Sequence, residues 1–174
     1  MDGRVYVVDP VDAEGVDERL RARGEPAAVL VLLDRHRRDA DAFAERLAVP
    51  VHETPFAGVP ETPFEVRPVV RRRVWREVVL WWPERRVLVT ADALGTGGYM
   101  TVGDEPLGVH PFLRLTPPRT AVAGLEPEHV VVGHGEGIHG PAAARALAAA
   151  LAGSRRRILP GLGEALRKPL ERLR

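Results

Sequence analysis

Two apolar runs that each stop at a potential metal ligand constrain this chain more than any other feature. Residues 86–95 read RVLVTADALG and residues 129–135 read HVVVGHG. The first run ends at Asp92, the second at the glycine-flanked His134. A short, unbroken apolar run rich in valine and leucine suits a strand covered on both faces. The end of such a strand is a rigid support for a ligand side chain.

The rest of the chain supplies elements around these two strands. Residues 4–8 read as a strand ended by Asp9-Pro10. Residues 12–23 then place Val16 and Leu20 one turn apart in a helix that stops at Gly24. The run 27–33 is too short for a free-standing helix and reads as a strand covered on both faces. After a polar burst at 34–39, Ala40, Phe43, Ala44 and Leu47 follow the spacing of an amphipathic helix ended near Pro50. Five prolines between 49 and 70 predict a short strand near Val51 and then an irregular surface loop. Residues 77–82 and 86–90 flank Pro83-Glu84-Arg85 as a central β-hairpin, which makes Trp75, Trp81 and Trp82 packing residues. Residues 95–103 are a glycine-rich loop, 99–120 have no clear period, and 130–132 form a strand. A tight loop follows at 133–140, and an alanine-rich helix at 141–151 starts with its proline and is closed by Gly153. A last helix, 162–173, is kinked at Pro169.

Composition removes several function classes. The chain has 174 residues, 45% of them hydrophobic, which fits one domain over 1–174 with 154–174 as a C-terminal helical extension. It has no cysteine, so disulfides, thiolate metal sites and cysteine nucleophiles are excluded and any metal must sit on histidine and carboxylate. Its only serine, Ser154, stands beside Arg155 to Arg157 and argues against serine hydrolysis. A net charge of +1 gives no global field for nucleic acid, and the arginine clusters at 71–73 and 155–157 lack interleaved aromatics. No secretory leader or membrane-length apolar stretch is evident, so a cytoplasmic location without membrane contact is expected.

The order of these elements, with TADALG ending one strand and GHG another, resembles the metallo-β-lactamase-fold hydrolases over most of the chain. The resemblance implies an α/β (α+β) architecture, a four-layer αβ/βα sandwich with its metals where the two sheets meet. Strands expected before RVYVVDP are missing, leaving a sheet edge that a partner subunit, as in a homo-oligomer, or the C-terminal extension is expected to cover. The family signature is Thr-His-x-His-x-Asp-His, a separate histidine before the hairpin, the aspartate of a GDAL-like segment and the histidine of GHG.

Here the signature region reads VLLDRHRRDADAF. In one register Arg35, Arg37 and Ala40 replace three histidines while Asp39 keeps the aspartate position. In a register shifted by one, Asp34, His36, Arg38 and Asp39 occupy the ligand positions, which saves His36. The first is preferred because the strand end aligns without strain. The remaining histidine is lost to an arginine, Arg73 in the closest alignment. The matched ligands are Asp39, Asp92 and His134, with His36 as a nearby substitute, part of one metal site.

Two carboxylates in one cleft need a cation between them, and Arg35, Arg37 or Arg73 can supply that charge. The alternative is one weakly held divalent metal, Zn²⁺, Mn²⁺ or Fe²⁺. The metal-free state is favoured, since a site short of more than half its ligands rarely keeps tight affinity. The resemblance therefore implies a hydrolase homologue with a degenerate site and weak or absent hydrolysis. The second reading is a binding or regulatory module holding a small anionic ligand in an arginine-rich cleft. Residues 135–140, GEGIHG, match G-x-G-x-x-G formally but stand near the C-terminus, where no second strand ends in an acid about twenty residues on. His52, His110 and His139 have no spaced partner and read as surface or cap residues.

Overall fold

The computed structural model describes residues 3–160. Strand β1 (Arg4–Val8) leads through helix α1 (Val16–Arg21) to β2 (Glu25–Val31), and after a 3-10 turn helix α2 (Ala40–Leu47) leads to β3 (Val51–Glu53). These strands form a three-stranded parallel sheet in the order β1-β2-β3. The second half contributes β4 (Glu65–Arg72), β5 (Trp75–Trp82), β6 (Val87–Thr90), the short pair β7 (Leu94–Gly95) and β8 (Gly108–Val109), and helix α3 (Arg119–Val122). It ends with β9 (His129–Val132), β10 (Ile138–His139) and helix α4 (Ala142–Gly153). Its main sheet runs β10-β9-β6-β5-β4, antiparallel except between β6 and β9.

Period-two alternation turns these elements into layers. On β2, Val29 and Val31 face α1 and α2 with Val7, Ala40 and Phe43, while Ala28 and Leu30 face the other sheet. On β5, Val78 and Leu80 meet them from the opposite side, and Val79 and Trp81 turn outward to α3 and α4 with Leu88, Val130 and Leu147. Three apolar interfaces therefore separate four layers in the order α, β, β, α. The unbroken apolar runs are unbroken because both faces of these strands are covered.

Several elements differ from the sequence reading. Residues 65–72 form a strand despite Pro68, because β4 is the edge of its sheet and its register slips between Pro68 and Val70, where a missing amide costs no ladder bond. GEGIHG carries β10, antiparallel to β9, before α4 begins at Ala142, so a returning strand stands where a dinucleotide loop would pass directly from strand to helix. Gly153 lies within α4, and its missing side chain makes room for the guanidinium of Arg157, which would meet a Cβ there at 1.6 Å. The helix expected over 162–173 lies outside the described residues. Among the described residues no helix is long and apolar enough to cross a membrane.

Candidate metal centre

The ends of β2, β6 and β9 bring His36, Asp92 and His134 to one point at the rim between the sheets. β6 and β9 run parallel with Thr90 beside Val132, so the residues two beyond each strand, Asp92 and His134, emerge side by side. His36 arrives from the other sheet on the 3-10 turn Asp34–His36, which starts where Leu33 bridges to Glu77 of β5. Asp92 Oδ1 lies 3.0 Å from His134 Nε2 and 3.3 Å from His36 Nε2. One ligand atom from each of the three residues lies within 4.8 Å of the others.

The surroundings fix each ligand. The carboxylate of Asp9, at the end of β1, accepts from the backbone N–H of Leu32 at 2.8 Å and from His36 Nδ1–H at 3.0 Å. His36 Nε2 is thereby left to face Asp92, the arrangement in which a carboxylate orients a metal-binding imidazole. Glu77, fully buried in β5, accepts from the backbone N–H groups of Asp92 and Ala93 at 2.9 and 2.7 Å with one oxygen and from the Trp75 indole N–H at 2.7 Å with the other. The turn carrying Asp92 thus hangs on a buried carboxylate. The carbonyl of His134 accepts from the N–H groups of Thr96 and Gly97, tying its loop to the segment after β7.

Electrostatics follows from this packing. Burial opposes charge on His36, but hydrogen bonds and proximity to Asp9 and Asp92 prevail and raise its pKa to about 9. Burial likewise pushes the Asp92 carboxyl up, yet His36 and the fields of His134 and His110 leave it below the usual carboxylate range. Burial raises Glu77 to about 7 against its three donors. Tyr99 is pushed up by burial and by Asp92, so its phenol stays protonated near neutrality.

The site differs from the sequence reading in three respects. Of the positions that either register offered in 34–40, only His36 reaches the cluster, carried inward by the 3-10 turn after β2. Asp39 is not part of the cluster: it stands at the start of α2, and its carboxylate accepts the backbone N–H of Asp12 at 2.8 Å, anchoring the loop after β1. Of the three cleft arginines, only Arg35 reaches Asp92, at 3.7 Å, while Arg37 is engaged by Asp41 and Glu53 and Arg73 lies exposed in the β4–β5 turn.

Sequence reasoning also missed Asp9 and Glu77, and its reading of His110 as a surface or cap residue caught the capping but not the place beside the centre. His110 packs edge-on to Trp75 at 4.8 Å and to Tyr99 at 6.3 Å, and Tyr99 packs on His134 at 5.4 Å, so these rings wall the centre. Its Nδ1 accepts from the N–H of Phe112, which leaves a neutral ring's proton on Nε2, and burial holds its pKa down. Nothing marked it in a stretch without periodicity.

The donor set fits a cation. Asp92 Oδ1 is buried and faces two imidazole nitrogens, His134 Nε2 at 3.0 Å and His36 Nε2 at 3.3 Å, so three donor atoms converge on one point. Ligand atoms bound at 2.0–2.1 Å in a tetrahedral site are spaced by roughly 3.3 Å, and three protein ligands with one open position is the pattern of catalytic zinc.

The structure is similar to that of BLEG-1, a B3 metallo-β-lactamase, with 21% identity and a TM-score of 0.53 over 78% of this chain and 83% of that one. It is similar to TMB-1, with 12% identity and a TM-score of 0.54 over 95% and 83%. It is also similar to the DIM-1 metallo-β-lactamase exposed to ceftazidime, with 14% identity and a TM-score of 0.50 over 86% and 80%. No family model matches the sequence, and no curated protein does. At these identities the likeness is one of fold.

Proposed function

We propose that this chain, a divergent protein of the metallo-β-lactamase fold, is a hydrolase homologue whose centre has contracted to one divalent cation held by His36, Asp92 and His134. The observation that carries the reading is the buried Asp92 Oδ1, faced by His134 Nε2 at 3.0 Å and His36 Nε2 at 3.3 Å. A cation bound there supplies positive charge that polarises a carbonyl or phosphoryl oxygen and lowers the pKa of water. The chain's own groups do the rest. Asp9 and Glu77 orient His36 and Asp92. The Tyr99 hydroxyl and the half-exposed guanidinium of Arg35 are donors beside the centre, suited to an oxyanion that develops during ester, thioester, amide or phosphoester cleavage. With a single cation and no second group of three metal-ligating side chains among the described residues, hydrolysis is expected to be slow.

A non-catalytic reading has one observation in its favour. The raised pKa of His36 lets an imidazolium sit between Asp9 and Asp92 and bridge both without a metal, its one positive charge offsetting one of the two carboxylates, consistent with a module that binds an anionic ligand. Elemental analysis of protein purified without chelator separates the two. One equivalent of Zn²⁺, Mn²⁺ or Fe²⁺ that disappears in Asp92→Ala and His134→Ala, with hydrolysis lost alongside it, supports the hydrolase. Less than a tenth of an equivalent after incubation with each ion at pH 8 overturns it.

A further inference from the structure

A groove of about 570 Å³ opens between the tip of the β4–β5 hairpin and residues 111–120. Val70, Val74 and Trp75 line one side, and Phe112, Leu113 and Pro118 the other. The volume lies within the usual range of small-molecule sites, roughly 300–1,000 Å³. Two of its lining residues, Val74 and Phe112, are about four-fifths exposed, a concentration of large apolar surface that marks a binding face.

The wall shared with the centre is Trp75. Its indole N–H is held by Glu77, the same carboxylate that holds the backbone of Asp92, and its ring meets His110 on one side and the guanidinium of Arg35 at 5.0 Å on another. Arg35 in turn reaches Asp92. A molecule lying in the groove therefore rests against Trp75, the side chain that separates it from Arg35 and His110 at the centre.

The groove's charge has one sign. Arg71 and Arg72 line it and no carboxylate does. Arg71 lies over the ring of Phe56 at 4.6 Å, which positions the side chain without neutralising it, and Arg72 forms no ion pair among the described residues. Apolar walls with uncompensated guanidinium groups select an amphiphile bearing a carboxylate, sulfonate or phosphate.

We infer that this groove is a binding site for the apolar body of an anionic amphiphile, with Arg71 and Arg72 recognising its negative group. On the hydrolase reading this amphiphile is the substrate's acyl or aryl portion, and the cleavable bond lies beyond Trp75 at the centre. The inference rests on that reading only for calling the ligand a substrate. Affinity for the anion itself needs no cation.

The probe is the aromatic sulfonate 8-anilinonaphthalene-1-sulfonate, titrated by fluorescence into the full chain with chelator present, with decanoate and decyltrimethylammonium as competitors. The expected result is saturable one-to-one binding, displaced by decanoate and at least tenfold less well by the cation. Arg72→Glu and Phe112→Asp, both at exposed positions, should each weaken it at least tenfold while leaving the unfolding midpoint in place. Binding that is unsaturable, or that both variants leave unchanged, overturns the inference. A second arm compares hydrolysis of acetate and carboxylated long-chain aryl esters by metal-loaded protein. Binding without hydrolysis leaves the groove standing and removes the hydrolase; hydrolysis indifferent to acyl chain and to both variants does the reverse.

Discussion

Glu77 is the residue on which the geometry of the centre turns. Its carboxylate makes three hydrogen bonds, and all go to groups that must not move: two backbone amides at Asp92 and Ala93, and the Trp75 indole. Glutamine can still accept the two amides, but its amide nitrogen then faces the indole N–H, donor against donor. Glu77→Gln should lower the stability measured by urea unfolding by about 1–3 kcal/mol, the cost of a buried unsatisfied donor, and should weaken metal binding. Two raised pKa values predict how the metal-free protein responds to pH. Between about 4.5 and 7 folded Glu77 holds a proton that the unfolded chain has released, so stability falls as pH rises through that window. His36 contributes stability that is complete below 6.5 and is lost on rising to about 9. Each contribution is at most on the order of 3 kcal/mol at about 1.4 kcal/mol per pH unit. Urea midpoints across pH should lose the first slope in Glu77→Gln and the second in His36→Gln; slopes that survive these changes would refute the assignment. Asp92 and His134 were legible in the sequence because apolar runs stop at them. His36 was legible only as a substitute beside Asp39, because a turn of 3-10 helix, invisible in composition, carries His36 inward.

The elements carrying the ligands are coupled through glycines more than through side chains. Gly135 has φ +97°, and a Cβ there would meet Thr96 Oγ1 at 2.2 Å and the nitrogen of Gly97 at 2.5 Å. The loops after β7 and β9 therefore touch backbone to backbone, with the His134 carbonyl accepting from Thr96 and Gly97. Gly135→Ala must strain the backbone or separate the loops. It should cost about 1–3 kcal/mol and displace His134, so that metal affinity falls more than it does in Gly98→Ala, where a Cβ meets nothing within 4 Å. Calorimetric titration with Zn²⁺ on both variants is the measurement, and equal affinities would show that the loops move independently. At this scale the buried strands were legible, since their hydrophobic pattern is intrinsic. Strand β4 was not, since Pro68 is compatible with a strand only at a sheet edge, and edges are a property of the assembled fold. His110 was hidden for the same reason: its place beside Trp75 depends on the path of residues 96–118, which tertiary packing sets.

Across the whole molecule the three ligands join two halves. His36 follows β2 of the three-stranded sheet, whereas Asp92 and His134 follow β6 and β9 of the five-stranded one, and the halves otherwise meet through the apolar layer of Ala28, Leu30, Leu32, Val78 and Leu80. A cation on the three would fasten the sheets at the rim that this layer leaves open. Since unfolding separates the ligands, binding must stabilise the folded state, by about 2.7 kcal/mol at a free metal concentration one hundred times Kd. His36 must also release its proton to bind, so this stabilisation should grow as pH rises from 6 toward 9, opposite to the trend of the metal-free protein. Thermal unfolding with and without Zn²⁺ across that range tests it. The two curves should diverge with increasing pH in the native sequence and coincide in His134→Ala. A Tm that responds equally in both would place the ion elsewhere and leave Asp92 neutralised by His36 alone.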